Sequence, residues 1–239
     1  MDSIDERGSR SKVGVLDKAV CILTLLSEGG PASLAGVAGG TGLPRPTAHR
    51  LLSALEAHHL VAREDGRYFL GMRLLGWGSQ AAGAGLVEAA RPTLAALRDE
   101  TGESVQLYAR EGDRRVCVAS FERAGGGLRD TVPVGAVLPL GRGSGGKVLL
   151  AWAGNGARPA GMDAAELDEV KSRGWAQSVA EREVGVASVS APVFGPGGDL
   201  RAAVCASGPV SRLGENPGER LSGPVVAAAR GIGDALDSG

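Results

Sequence analysis

Apolar residues recur at helical spacing in successive stretches near the start of the chain, and the pattern then switches to alternation. Leu16, Ala19, Val20, Leu23 and Leu26 lie three and four apart and predict an amphipathic helix that Gly29-Gly30-Pro31 ends. Ser33 is placed to cap a short second helix with Leu34, Val37 and Ala38 inward. Gly39, Gly40 and Gly42 supply a tight turn into a third helix, Pro44 to His59. Proline is tolerated in its first turn because amides there lack helical partners. Ala48, Leu51, Leu52 and Leu55 form one buried stripe of that helix, so Arg45, Thr47, His49, Arg50 and Ser53 face away from it. Two short alternating runs, Leu60–Arg63 and Arg67–Leu70, then flank Glu64-Asp65-Gly66, a hairpin signal.

Helices, turn and hairpin in this order predict a winged helix-turn-helix over residues 12–72, after a polar and aperiodic arm at 1–11. An exposed helix face with two arginines, a threonine and a histidine suits the major groove of duplex DNA. Arginine forks onto guanine or a phosphate, and small polar side chains reach base edges. Arg63 and Arg67, near the tip of the hairpin, are expected to meet phosphates. A plain solvated helix, or a winged domain serving protein contacts, is the competing reading.

Further along the periodicity weakens and then recovers. Residues 73–86 read as a linker helix of low propensity, since Gly76, Gly78, Gly83 and Gly85 each disfavour a helix by about 1 kcal/mol relative to alanine. Residues 87–239 mix the two periods. A helix is expected from Leu86 to Thr101, then strands at Ser104–Arg110 and Arg115–Phe121 around Glu111-Gly112-Asp113. Further strands are expected at Leu128–Val134, Ala187–Phe194 and Ala202–Gly208, and helices at Lys147–Ala153, Ala164–Arg173 and Pro217–Leu236. This mixed order predicts an α+β domain around a central antiparallel sheet.

The 239 residues are long for one domain and comfortable for two. With three Trp, two Tyr and three Phe, the cores must be aliphatic. A net charge of −1 gives no general basic patch, so the case for nucleic acid rests on where the arginines stand. Cys21, Cys117 and Cys205 are far apart in apolar runs, which suits buried free thiols in a reducing cytoplasm. No signal peptide or membrane-length apolar run is present, so a cytoplasmic protein without membrane contact is expected.

Gly141-Arg142-Gly143-Ser144-Gly145-Gly146-Lys147-Val148 almost spells a phosphate-binding loop, but Val148 cannot offer a hydroxyl to magnesium. A Gly/Ser turn capping the next helix is the better reading, with amides able to hold a small anion such as a carboxylate. His49, His58 and His59 are the chain's only histidines, and all lie in the N-terminal half. Cys117 and Cys205 therefore have no base nearby in sequence. Glu181, Glu183 and Asp130 sit among arginines as solvated or paired charges. An enzyme is not expected, nor is a cofactor or metal.

Several segments resemble the IclR family of bacterial transcriptional regulators. They are Leu43-Pro44-Arg45 with His49-Arg50-Leu51-Leu52 and Leu55-Glu56; Pro139 with Gly146-Lys147 and Leu149-Leu150-Ala151; Arg173-Gly174-Trp175 with Gly185, Ser188 and Ala191-Pro192-Val193; and Ser207 through Arg212. Leu128 to Gly143 looks most like actinobacterial regulators of amino-acid metabolism. The resemblance implies a GAF/profilin-like C-terminal domain that oligomerises and holds a small effector, in a homodimer or dimer of dimers on a palindromic operator. It implies DNA contacts from Ser33, Arg45, Thr47, His49, Arg50, Arg63 and Arg67. For the effector it implies Asp130, Ser144, Gly145, Ser178, Val186, Ser188, Cys205 and Ser207, a polar set able to bind an acid without a salt bridge. Pro46 stands where the family often has serine, and His59 where glycine is usual, so the turn at His59 is expected to be strained. A ligand-independent DNA-binding protein, whose larger domain only oligomerises or recruits partners, is the alternative.

Overall fold

Short apolar stripes on three helices meet a small sheet to make the N-terminal core. The computed structural model describes residues 13–81, 85–124, 132–153 and 163–238. The chain divides after Ala81 into two units, each with its own core. The first unit runs α1 (Gly14–Gly29), β1 (Ala32–Ser33), α2 (Leu34–Thr41), α3 (Arg45–Ala57), β2 (Val61–Glu64), β3 (Arg67–Leu70) and α4 (Arg73–Ala81). Ile22 and Leu26 of α1 pack with Val37 of α2, Ala48, Leu52 and Leu55 of α3, and Val61 and Tyr68 of the sheet. Burial of each large aliphatic side chain contributes about 2 kcal/mol.

Four details of this unit differ from the periodic reading. On α1 the buried residues are Ile22 and Leu26, whereas Leu16 and Val20 remain 54% and 51% exposed. The helix thus carries a second apolar stripe, with Val13 in line with it, that its own domain leaves uncovered. Helix α3 begins at Arg45 with Pro44 as its N-cap, so Pro46 is the proline within the first turn. Leu51 is half-buried, and Thr47 beside it on the helix surface is half-covered too. Strand β1 was not anticipated. It pairs antiparallel with β3, so the sheet order is β1-β3-β2.

The hairpin turn follows from its two central residues. Asp65 and Gly66 have φ of 48° and 74°, the double left-handed geometry of a two-residue turn that matches strand twist. Helix α3 also ends as expected, with His59 at φ 58°. Its amide donates to Glu56 O and that of Leu60 to Leu55 O. A non-glycine residue in this region is strained, so His59→Gly is expected to stabilise the unit by about 0.5–1 kcal/mol. A chemical-denaturation midpoint that falls or stays put contradicts this.

The second unit runs α5 (Leu86–Thr101), β4 (Ser104–Glu111), β5 (Arg114–Phe121), β6 (Val137–Pro139), α6 (Ser144–Ala151), α7 (Ala164–Arg173), β7 (Ala176–Val179), β8 (Val186–Phe194), β9 (Leu200–Pro209), α8 (Val210–Leu213) and α9 (Pro217–Asp237). Its antiparallel sheet has the order β6-β5-β4-β9-β8-β7. Alternation sorts its residues by face. Val105, Leu107, Val189, Ala191, Val193, Val204 and Ala206 form one core with α5 and α9. Tyr108, Cys117, Ala176, Ala203 and Cys205 form another with Val148, Leu149, Leu167 and Val170 of α6 and α7. A bulge at Leu107/Tyr108 keeps both strands in phase by setting Leu107 opposite Ala119 and Tyr108 opposite Cys117.

Strands β6 and β7 are short edge strands that the apolar pattern did not reveal. The strand expected at 128–134 falls mostly outside the described residues, and its described end, Val132 to Val134, is not in a strand. Among the described residues, no helix is long and apolar enough to cross a membrane. Glu103, 1% exposed, receives both a 2.9 Å and a 2.6 Å hydrogen bond from the Arg212 guanidinium, tying the start of β4 to α8.

Candidate functional site

Two groups of side chains stand out, one in each unit. In the first, Ser33, Arg45, His49, Arg63, Gly66 and Tyr68 line a groove of about 380 Å³. Three elements bring them together. Ser33 caps α2, its Oγ accepting from Gly36 N at 3.2 Å, which leaves the hydroxyl proton free to donate outward. Arg45 and His49, one helical turn apart, present the same side of α3. Arg63 lies over the Tyr68 ring, 5.4 Å from its centroid, and this contact aims it along the groove. No side chain caps α3, so the positive end of that helix opens on the same region.

The remaining predicted contacts distribute differently. Arg50 is exposed, about 100° round α3 from His49, and among the described residues neither it nor Arg45 is engaged in a hydrogen bond or ion pair. Thr47 is half-covered. Arg67 departs most from expectation. It pairs across the hairpin with Glu64, while Arg63 pairs with Tyr68, so the two arginines stand on opposite faces of the wing. Arg67 donates to Pro31 O at 2.5 Å, which ties it to the β1 side and away from the groove.

The second group lies on the sheet face covered by α6. Ser144 Oγ is 2.7 Å from Ser188 Oγ and 2.8 Å from Ser190 Oγ, and Ser178 Oγ is 3.0 Å from Ser188 Oγ. Cys205 Sγ is 3.9 Å from Ser144 Oγ. Strand register explains the gathering, since Ser178, Ser188 and Ser207 lie opposite one another across β7, β8 and β9, and Ser190 lies opposite Cys205. Ser144 and these four side chains are all buried. Gly145 lies against Tyr108, Val186 stands half-buried at the start of β8, and Ser207 donates to Gln106 Oε1 at 3.0 Å instead of joining the serines. Asp130 lies outside the described residues. Ser190, Gln106, Tyr108 and Arg115 were missed, although the in-phase serines of Val-Ala-Ser-Val-Ser and a charged residue at an inward position of β5 were the available signals.

Arg115 explains the glycine-rich loop. Its guanidinium is buried beneath residues 141–147, donates to Arg142 O at 2.6 Å and stacks 5.0 Å from the Tyr108 ring centroid. A Cβ on Gly146 would fall 2.0 Å from Leu140 O and 2.5 Å from Arg115 Nη1, and one on Gly143 would fall 3.3 Å from Nη2. The glycines make room for an arginine, not for a phosphate. Gly146→Ala is therefore expected to destabilise this unit by about 1–3 kcal/mol, read from its denaturation midpoint. An unchanged midpoint refutes the close-packing account.

The loop's anion is internal. Gly143 N donates to Glu181 Oε2 at 3.1 Å, and Lys147 Nζ pairs with Glu181 and with Glu166 at 2.6 Å. This commits one loop amide, that of Gly143, to a carboxylate of the protein itself, and it leaves Lys147 no freedom to serve a nucleotide. Burial pushes the Cys117 thiol up to about 12, so it remains protonated and unreactive near neutrality. Burial likewise raises the Tyr108 phenol and lowers the Arg115 guanidinium from their ordinary values. Cys117 and Cys205 are buried thiols as expected, whereas Cys21 is half-buried.

Comparison with known proteins gives these arrangements a context. The IclR helix-turn-helix domain matches residues 15–65, and the C-terminal domain of the bacterial transcriptional regulator IclR matches 79–162 and 162–234. The transcriptional regulator RhmR of Escherichia coli is 29% identical over 95% of this chain and 94% of its own length. The IclR structure from Thermotoga maritima superposes with a TM-score of 0.73 at 24% identity, covering 94% of this chain and 99% of that one. An IclR homologue from Microbacterium hydrocarbonoxydans, solved with 4-hydroxybenzoate, gives 0.73 at 21% identity, covering 94% and 100%. These domains are those of DNA-binding regulators and not of enzymes. The chain belongs to the IclR family of transcriptional regulators, with a helix-turn-helix domain followed by an antiparallel-sheet domain.

Proposed function

We propose that this regulator binds a palindromic duplex operator as a homodimer or dimer of dimers, and that a small metabolite of amino-acid or organic-acid metabolism controls the binding. The observation that carries the DNA part is the groove joining Ser33, Arg45, His49 and Arg63 beside the exposed face of α3. Helix α3 enters the major groove with Arg50, His49 and Thr47 toward base edges, while Arg45, Arg63 and Ser33 hold phosphates. Arg67 plays a lesser part. The exposed stripe of Val13, Leu16 and Val20 on α1 supports self-association, and two-fold protein symmetry suits a two-fold site.

The metabolite part rests on the buried polar face under α6 and on the homologue solved with 4-hydroxybenzoate. A bound effector shifts the dimer between wing spacings through the linker at residues 73–86, to the extent that it prefers one spacing. One observation favours the ligand-independent alternative: the serines already hydrogen-bond one another, and they line neither the DNA-side groove nor a second groove of about 350 Å³ near Trp152, Phe194 and Arg230. Fluorescence anisotropy on the protein's own upstream DNA, over a salt series and with a panel of organic and amino acids, separates the two. Effector-dependent affinity is expected, and equal affinity across the panel overturns metabolite control. Arg63→Ala is expected to weaken all duplexes about alike and to lower the salt slope by about 1. A sequence-selective loss contradicts its assignment to phosphate.

A further inference from the structure

A charged group buried without a counter-charge marks a place in a fold built for something else. Arg115 is 2% exposed and forms no ion pair among the described residues; its one hydrogen bond uses Nη1, toward Arg142 O. Nε is buried and has no hydrogen-bond partner among the described residues. Nε and Nη2 together form the side of a guanidinium that grips a planar carboxylate with two parallel hydrogen bonds. Nη2 lies in the part of the site that Gly143 opens, where Ser178 Oγ also falls within 4 Å of a Cβ built on that glycine.

The surroundings reinforce the point. The two buried side-chain donors without a partner among the described residues are Arg115 Nε and Gln106 Nε2, and both belong to the sheet face under α6. Ser144, at the positive end of α6, supplies a hydroxyl within hydrogen-bond distance of both Ser188 and Ser190. The nearby carboxylate of Glu181 is already committed to Lys147 and Gly143.

We infer that Arg115 is the anchor of the effector site and that the effector is a small carboxylic acid, gripped side-on by Nε and Nη2, whose remaining polar substituent exchanges hydrogen bonds with Ser144, Ser188 and Ser190. This rests on the metabolite-control reading and gives it a chemical class. It also replaces the expectation of an acid held without a salt bridge.

The test is thermal-shift and calorimetric titration of the full-length protein with lactate, benzoate and 4-hydroxybenzoate. Each is set beside its primary amide, with inorganic phosphate as a further anion. At least one carboxylate is expected to raise Tm and to bind at least tenfold more tightly than its amide. R115M is expected to lose that binding tenfold or more while melting within about 4 °C of the wild type, because it removes a charge that has no ion-pair partner among the described residues. R115K, which keeps the charge and lacks the planar fork, is expected to lose at least tenfold as well. Equal binding of acid and amide, undiminished binding by either variant, or binding of phosphate alone overturns the anchor. Binding of neutral probes alone overturns the anchor and leaves metabolite control standing. No binding by any of these probes overturns the anchor, and metabolite control then stands or falls on the operator-binding panel.

Discussion

Replacing Arg212 by alanine is expected to lower the stability of the C-terminal unit by about 3–5 kcal/mol, a larger loss than any other single change considered above. Glu103 is 1% exposed and takes both its hydrogen bonds from Arg212. Removal of the guanidinium leaves a carboxylate buried between β4 and α8 with neither water nor counter-charge. Relaxation cannot open the site cheaply on the β9 side, where a Cβ on Gly208 would already lie 2.3 Å from Glu103 Oε2. The hydrogen bonds from the guanidinium to Glu103 in turn hold Arg212 above its ordinary pKa, consistent with a strongly coupled pair. Arg212 is itself 28% exposed, which places the expected loss toward the lower end of the range. Urea denaturation followed by circular dichroism reads the effect. A loss below about 1 kcal/mol shows that water reaches Glu103 and that the pair is a surface contact.

An Arg50→Ala variant is expected to bind a specific operator about ten- to a hundredfold more weakly while assembling as before. Arg50 is exposed and makes no hydrogen bond or ion pair among the described residues, so its removal disturbs neither the core beneath α3 nor the groove beside it. The loss comes from the duplex side. A bidentate arginine–guanine contact is worth about 1–3 kcal/mol of discrimination, and its absence relaxes selectivity at one position of each half-site. Arg63→Ala loses affinity for every duplex instead. Gel-shift titration of both variants on specific and scrambled duplexes separates reading from holding. Unchanged affinity of the Arg50 variant moves sequence reading elsewhere on α3.

Most of the N-terminal unit was legible because local rules decide it. Helical spacing of Ala48, Leu52 and Leu55, the capping serine and the Asp65-Gly66 turn each act within a few residues. The α1 stripes misled because two apolar faces on one helix look alike in sequence, and only the packing shows which is buried. The wing arginines misled for a related reason. Arg63 and Arg67 are four apart in the chain, but the turn puts them on opposite faces. In the larger unit, helix α7 and the long strands were legible, whereas β6 and β7 are edge strands of three and four residues whose pattern is too short to stand out. The serine cluster came through family resemblance. Arg115 was not seen because its meaning depends on its burial and on the lack of a partner for Nε among the described residues, and that is a property of the folded sheet.

The central claim, that the exposed face of α3 reads duplex DNA, is tested most directly by selecting bound sequences from a random duplex library with the full-length protein and with its Arg50→Ala variant. The account predicts an enriched palindrome with half-sites spaced by whole turns of the duplex, and a variant that loses preference at one base pair of each half-site while keeping the rest. Enrichment of no motif by the wild type, or the same motif at full strength from the variant, contradicts it.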